Sequence, residues 1–147
     1  MEKPLASTTG KVCDSRGVAS PLHYNTHPSG VEVIEVNRHM TANTAAAFKY
    51  VLRRGIKVEP GGDAKTTARK DLDKATYYLV DEHTHCPKSA AARWPGEAAE
   101  LLHKVIMAEP NQLVRNFCVQ LEQWLVKGDR NALVRACDLI TALKAGL

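Results

Sequence analysis

Apolar residues recur at helical spacing through most of the chain beyond residue 30. The clearest stripe consists of Ala68, Leu72, Ala75 and Leu79, which stand at i, i+4, i+7 and i+11. This spacing places the four side chains on one face and predicts a helix from about residue 66 to residue 81. The opposite face is predicted to be polar and carries Lys70, Asp71, Asp73, Lys74 and Tyr78.

Two further helices are predicted before this one. A turn at residues 28–30 leads into the first, which ends near residue 40. In the second, Asn43 is the expected N-cap and Gly55 the expected residue just beyond the C-terminus. A short polar side chain satisfies free N–H groups at a helix start, and glycine accepts the left-handed conformation that often ends a helix.

Three amphipathic helices are predicted after a break at residues 83–94, where prolines interrupt the pattern. The first begins at Pro95. Asn111 and Gly128 bound the second, and Asp129 caps the third. Each of these helices has one apolar face that can be buried.

Strand-like alternation of apolar and polar residues is absent over more than a few positions, so we predict an all-α fold. We expect a flexible leader over residues 1–22 and a domain over residues 23–85 that contains a helical hairpin. A C-terminal three-helix unit is expected over residues 95–147.

Composition adds limits on the class of protein. The chain has 147 residues, 44% of them hydrophobic and 24% charged, with a formal charge of +4. This is the composition of a globular domain, and a small positive charge favours anionic ligands without indicating a nucleic-acid binder. No apolar run approaches the roughly 20 residues that a membrane span needs, and no secretory signal pattern is present. We therefore expect a cytoplasmic protein with no membrane partner and with reduced cysteines.

The loop at residues 57–63 superficially suggests a phosphate-binding loop. The pattern G-x-x-x-x-G-K-[ST] would need glycine where the chain has Glu59 and Ala64. The segment is therefore not a P-loop. We predict a glycine-bearing linker followed by Thr66 as the N-cap of the third helix.

A set of cations is a better candidate for ligand binding. Lys49 and Arg53 are four residues apart and share a helical face. If the second and third helices form an antiparallel hairpin, Lys49, Arg53 and Lys74 can converge on one anion. Arginine and lysine are the side chains that phosphate recognition needs. The alternative is a solvated basic helix end.

Acidic and metal-ligating residues give weaker signals. Glu32 and Glu35 are three apart, as are Glu97 and Glu100, but no second acidic pair follows at the spacing of helical magnesium sites. The zinc-type residues His23, His27, His83, His85 and Cys86 match no established zinc spacing. We predict no metal site from these patterns and interpret the residues as solvated or loop side chains.

Aromatic residues near the cations can stack on a nucleobase. Tyr78 shares a helical face with Asp71 and Lys74, whereas Tyr77 and Trp94 are expected to be half-buried packing residues.

The order of several short motifs resembles a known family. The motifs are His23–Tyr24, GVEVIE at residues 30–35, Asn43 followed by KYVLR at residues 49–53, and DLDKA at residues 71–75 followed by Tyr78 and Leu79. They resemble a small phage family commonly labelled phage nucleotide kinase, over about residues 23–81.

The resemblance implies an all-α phage protein that acts in the cytoplasm of the infected host cell as a homo-oligomer. It implies phosphorylation of deoxynucleoside monophosphates without a P-loop, with ATP and Mg²⁺ as cofactors. The matched site residues are His23, Tyr24, Glu32, Asn43, Lys49, Tyr50, Arg53, Asp71, Lys74 and Tyr78. In this interpretation Lys49 and Arg53 hold phosphates, Asp71 or Glu32 positions magnesium, and Tyr78 contacts the base.

Two functional hypotheses follow, and a third stays open. The first is a nucleotide kinase, in which charge neutralisation and placement carry the chemistry. The second is a non-catalytic phage sponge, an anti-defence protein that sequesters a nucleotide immune signal of the host. The third is a scaffold whose C-terminal helices bind another protein.

Overall fold

The structure is a computed structural model that describes residues 27–56, 58, 60–87 and 94–147. These residues contain helices and no strand, which confirms the all-α prediction. The helices are α1 (Val33–Asn37), α2 (Ala42–Arg53), α3 (Ala64–His85), α4 (Gly96–Ala108), α5 (Gln112–Lys127) and α6 (Arg130–Ala145). None of the helices in these ranges has both the length and the apolar character of a membrane span. The expected leader at residues 1–22 lies outside the described residues.

Two of the predicted N-caps are wrong. Thr41, not Asn43, caps α2 and accepts a hydrogen bond from the Thr44 N–H at 3.3 Å. Asp63, not Thr66, caps α3, and its carboxylate accepts from the backbone N–H of Thr66 at 2.7 Å. Hydrogen bonds from the backbone and hydroxyl of Thr66 hold the pKa of Asp63 below its usual value. An acidic cap also suits the positive end of the helix dipole.

The predicted ends of the later helices are confirmed. The Asn111 side chain accepts from the N–H groups of Leu113 and Val114 at the start of α5. Gly128 ends α5 with a φ of 68°, in the left-handed region, and Asp129 caps α6. Helix α1 is shorter than predicted, and α3 extends to His85, into the segment where a break was expected.

The helices pack as two hairpins that share one core. Helices α2 and α3 lie against each other, as do α5 and α6, and α3 also packs against α6. The predicted stripe of Ala68, Leu72, Ala75 and Leu79 is buried. Leu72 and Leu79 belong to the same hydrophobic cluster as residues of α5 and α6. The segments before and after residues 88–93 are therefore joined by a continuous apolar interior.

Glu82 is a fully buried carboxylate within this interior. Its Oε2 accepts hydrogen bonds from the indole N–H of Trp124 at 2.8 Å and from the hydroxyl of Thr41 at 2.9 Å. Its Oε1 accepts from the thiol of Cys86 at 3.1 Å. These donors come from α5, from the cap of α2 and from the end of α3. A buried polar group is tolerated only when such hydrogen bonds satisfy it, so Glu82 fixes the relative position of the three helices.

Arg130 of α6 completes this end of α3. Its guanidinium donates to the backbone carbonyls of His83, in the last turn of α3, and of Cys86, the C-cap. It also lies 5.7 Å from the centre of the Trp124 ring. A cation is favourable at a helix C-terminus because the last carbonyl groups carry partial negative charge.

We predict that Thr41→Val lowers the free energy of unfolding by about 1–3 kcal/mol, because the buried Glu82 loses a donor and α2 loses its cap. Thr141→Val is the matched control, since Thr141 is exposed and its hydroxyl donates to the Cys137 carbonyl of its own helix. The control should change stability by less than about 0.5 kcal/mol. Urea denaturation followed by circular dichroism measures both. Equal effects of the two substitutions would contradict the role of Thr41.

Candidate functional site

Three cations meet around one aromatic ring on the α2–α3 hairpin. Lys49 and Arg53, from α2, place their charged groups 4.7 and 4.6 Å from the centre of the Tyr50 ring. Lys74, from α3, places its ammonium 5.3 Å from the same point. Each of the three charged groups therefore lies within 5.3 Å of the centre of the Tyr50 ring. The hairpin thus brings the three cations to one ring, and we call these residues, with Tyr78, the Tyr50 cluster.

The aromatic part of the cluster continues onto α3. The rings of Tyr50 and Tyr78 are nearly parallel, at 7°, with centres 6.1 Å apart. Tyr77 meets Tyr78 edge to face at 5.3 Å and is 68% exposed. The prediction that Tyr77 is a half-buried packing residue is therefore wrong. Its exposed ring offers a surface on which a base or another planar group can stack.

Asp71 is buried against the end of α2, although the periodicity assigned it to the polar face. Its Oδ1 pairs with Nη2 of Arg53 at 3.4 Å, and its Oδ2 accepts from the Gly55 N–H at 3.3 Å. The side chain of Asp71 is 3% exposed and that of Arg53 is 11% exposed. The carboxylate therefore joins α3 to the last turn of α2 and holds Arg53 near the Tyr50 ring.

The two lysines of the cluster differ from Arg53 in their partners. Within the described ranges, neither Lys49 nor Lys74 forms an ion pair with a carboxylate. Asp73, the acid next to Lys74 in sequence, pairs instead with Lys144 of α6 at 2.5 Å. Both ammonium groups lie within 5.3 Å of the same ring centre, so the two positive charges repel each other. An anion bound between them would relieve this repulsion.

The backbone just after α2 lies close to the first turns of α3. Gly55 has a φ of 75°, and a Cβ at this position would lie 3.0 Å from the Ala64 carbonyl oxygen and 3.2 Å from the Ala68 Cβ. Only glycine fits both the conformation and the space. This approach brings the end of α2 against the start of α3 and lets the Gly55 N–H reach Asp71.

The other predicted site residues lie elsewhere. Asn43 donates to the Asp81 carboxylate at 2.9 Å, at the opposite end of the hairpin from Arg53. Glu32 is the N-cap of α1, and its backbone N–H donates to the Glu35 carboxylate at 2.8 Å. Helix α1 packs mainly against α2 and α4. His23 and Tyr24 lie outside the described residues.

The carboxylates do not fit a magnesium site. Both oxygens of Asp71 already interact with Arg53 and with the Gly55 N–H, and Glu32 stands on a different helix. Magnesium needs open oxygen ligands in near-octahedral geometry. No group of three or more His, Cys, Asp or Glu residues suited to a metal ion occurs in the part of the chain that the structure describes.

The histidines and Cys86 have separate partners. His27 contacts the Glu109 carboxylate at 2.9 Å, whereas His85 pairs with Asp81 at 3.2 Å. Burial raises the pKa of Glu109, but hydrogen bonds from His27 and a backbone N–H outweigh it, and the pKa lies below its usual value. Burial and the hydrogen bond to Glu82 raise the pKa of Cys86 to about 11. A thiol that stays protonated at neutral pH is a poor nucleophile.

The sequence analysis did not single out Glu82 or the buried position of Asp71. The signal was present in the stripe itself, because residue 71 follows residue 68 by three and residue 82 follows residue 79 by three. Both acids therefore continue the buried face of α3. Their donors come from other helices and are invisible in the local pattern.

Two surface depressions lie away from the cluster. One, of about 310 Å³, is lined by α5 and α6 and contains Arg135, which already contacts Gln120 and Asp129. The other, of about 550 Å³, lies at the end of α3 and contains Arg130, which donates to backbone carbonyls. Both arginines are engaged by protein partners, whereas the two lysines of the Tyr50 cluster pair with no carboxylate in the described ranges, so the cluster is the stronger candidate for anion binding.

Comparison of the chain with protein-family models, with curated proteins and with solved structures finds no significant match. The geometry of the Tyr50 cluster is therefore the feature of this chain that indicates a function.

We predict that Gly55→Ala destabilises the fold more than Gly61→Ala. Both glycines have a positive φ, at 75° and 76°, so alanine is strained at either position by about 1–2 kcal/mol. Only at Gly55 would the added Cβ also press on Ala64 and Ala68, because nothing lies within 4 Å at Gly61. Thermal unfolding of both variants measures the difference. A melting temperature for Gly55→Ala at or above that for Gly61→Ala would contradict the close approach.

Proposed function

We propose that the chain binds a phosphorylated nucleotide at the Tyr50 cluster. The observation that carries the proposal is the meeting of Lys49, Arg53 and Lys74 around one ring, with no carboxylate paired to either lysine in the described ranges. The charge of Arg53 is paired with Asp71, whereas the charges of Lys49 and Lys74 repel each other, and a bound anion would lower that repulsion. The phosphate group of a nucleotide supplies the charge, and its base supplies a planar partner for an exposed tyrosine.

Binding without turnover is the version of this function that the contacts favour. A kinase needs an acidic side chain free to place magnesium at the phosphates. In this chain both oxygens of Asp71 already have partners, in Arg53 and Gly55, so Asp71 does not fit that role. Sequestration requires only that the cations and rings enclose the phosphate and base. A phage origin, a homo-oligomer and a role in the host cytoplasm stay predictions from the family resemblance.

A binding panel tests the proposal. Isothermal titration calorimetry should detect binding of at least one of the four deoxynucleoside monophosphates, ATP or a cyclic dinucleotide, and should detect much weaker binding of the matching nucleoside. Mass spectrometry of the ligand recovered after denaturation should return it unchanged. Recovery of a diphosphate after incubation of a monophosphate with ATP and Mg²⁺ would instead establish the kinase. Absence of binding across the panel would refute the proposed function.

We predict that Lys49→Ala and Lys74→Ala each weaken nucleotide binding by about tenfold, which corresponds to about 1.4 kcal/mol. Each substitution removes one charge from the site, so the dependence of affinity on salt should also become shallower. Lys104→Ala is the matched control, because Lys104 is an exposed lysine on α4. An effect of the control as large as that of the cluster variants would show that overall charge, not the cluster, governs binding.

A further inference from the structure

We propose that Asp71 is a positioning residue for anion binding. Its buried carboxylate holds the guanidinium of Arg53 at the Tyr50 ring, so that neutralising Asp71 weakens nucleotide binding although it removes a negative charge from the site. This inference rests on the proposed function and identifies the residue that sets the geometry of the cluster.

The contacts of Asp71 fix it from two sides. One oxygen accepts from the backbone of Gly55 at 3.3 Å, which ties the carboxylate to the end of α2 independently of any flexible side chain. The other oxygen pairs with Arg53 at 3.4 Å. The carboxylate is 3% exposed, so the ion pair is little screened by water. The backbone anchor therefore places the carboxylate, and the carboxylate places the guanidinium.

The consequence for affinity follows from the flexibility of arginine. An arginine side chain loses up to about 2 kcal/mol of rotamer entropy when it is immobilised. In this chain Asp71 has already immobilised Arg53 before a ligand arrives, which lowers the entropy loss on binding. Without Asp71 the guanidinium would lose this carboxylate partner, and more of its ordering would be left to the ligand.

Net charge alone predicts the opposite change in nucleotide affinity when Asp71 is neutralised. Asp71 carries a negative charge near the proposed phosphate position, and its neutralisation raises the positive potential of the site. If only net charge mattered, Asp71→Asn would tighten binding of an anion. The sign of the change therefore separates a positioning role from a general effect of charge.

The test compares Asp71→Asn with Asp73→Asn. Both substitutions remove one negative charge from the same helix, two residues apart, but Asp73 is exposed and pairs with Lys144 rather than with the cluster. Affinity is measured by calorimetry for the panel nucleotide that the wild-type protein binds tightest and for its nucleoside. Thermal unfolding confirms that each variant is folded at the temperature of the assay.

We expect Asp71→Asn to weaken nucleotide binding by about tenfold and to leave nucleoside binding unchanged, because only the phosphate contact depends on Arg53. Asp73→Asn should leave nucleotide binding equal to the wild type or tighter. A purely structural role for Asp71 would lower both affinities together. Folded Asp71→Asn protein that binds the nucleotide as tightly as the wild type, or more tightly, overturns the inference while leaving the proposed function intact.

If Asp71→Asn does not fold, Arg53→Lys tests the positioning role of Asp71 instead. Lysine keeps the positive charge but lacks the planar fork that contacts a carboxylate and a phosphate together. We expect about a tenfold loss of nucleotide affinity in this variant, with nucleoside binding retained. Wild-type affinity in Arg53→Lys would mean that charge alone suffices at position 53, and would overturn the positioning role.

Discussion

The burial of the Glu82 carboxylate constrains the rest of the structure. A carboxyl group removed from water must be surrounded by hydrogen-bond partners, because an unsatisfied buried polar group is destabilising. The donors are Trp124 from α5, Thr41 at the start of α2 and Cys86 at the end of α3. They meet because α2 and α3 run antiparallel, with the start of α2 beside the end of α3, and because Trp124 of α5 reaches the same end of the hairpin.

A second buried acid supports the same hairpin at its other end. Asp71 stands eleven residues before Glu82 on α3, a distance of about 16 Å along the helix axis. It joins Arg53 and the Gly55 N–H to α3, as Glu82 joins Thr41. Tyr50, Lys74 and Tyr78 lie between these two fixed points. The two buried acids therefore hold the part of the hairpin that carries the cations.

The C-terminal helices also contact the α2–α3 hairpin. Helix α5 supplies Trp124, and α6 supplies Arg130, which binds the carbonyls at the end of α3. Lys144 of α6 also pairs with Asp73, the acid next to Lys74 in sequence. The lysines of the Tyr50 cluster have no acidic partner in the described ranges, and this is the property on which the proposed nucleotide binding depends.

Local periodicity in the sequence determined the helices, their apolar faces and the shared face of Lys49 and Arg53, because these depend only on residue spacing along one helix. It could not select Thr41 over Asn43 or Asp63 over Thr66, since several nearby side chains can cap a helix and the choice depends on local geometry and neighbouring helices. Only the tertiary structure decided which groups satisfy the buried carboxylates of Asp71 and Glu82. Their donors are separated from them by up to 42 residues and meet them only when the helices pack.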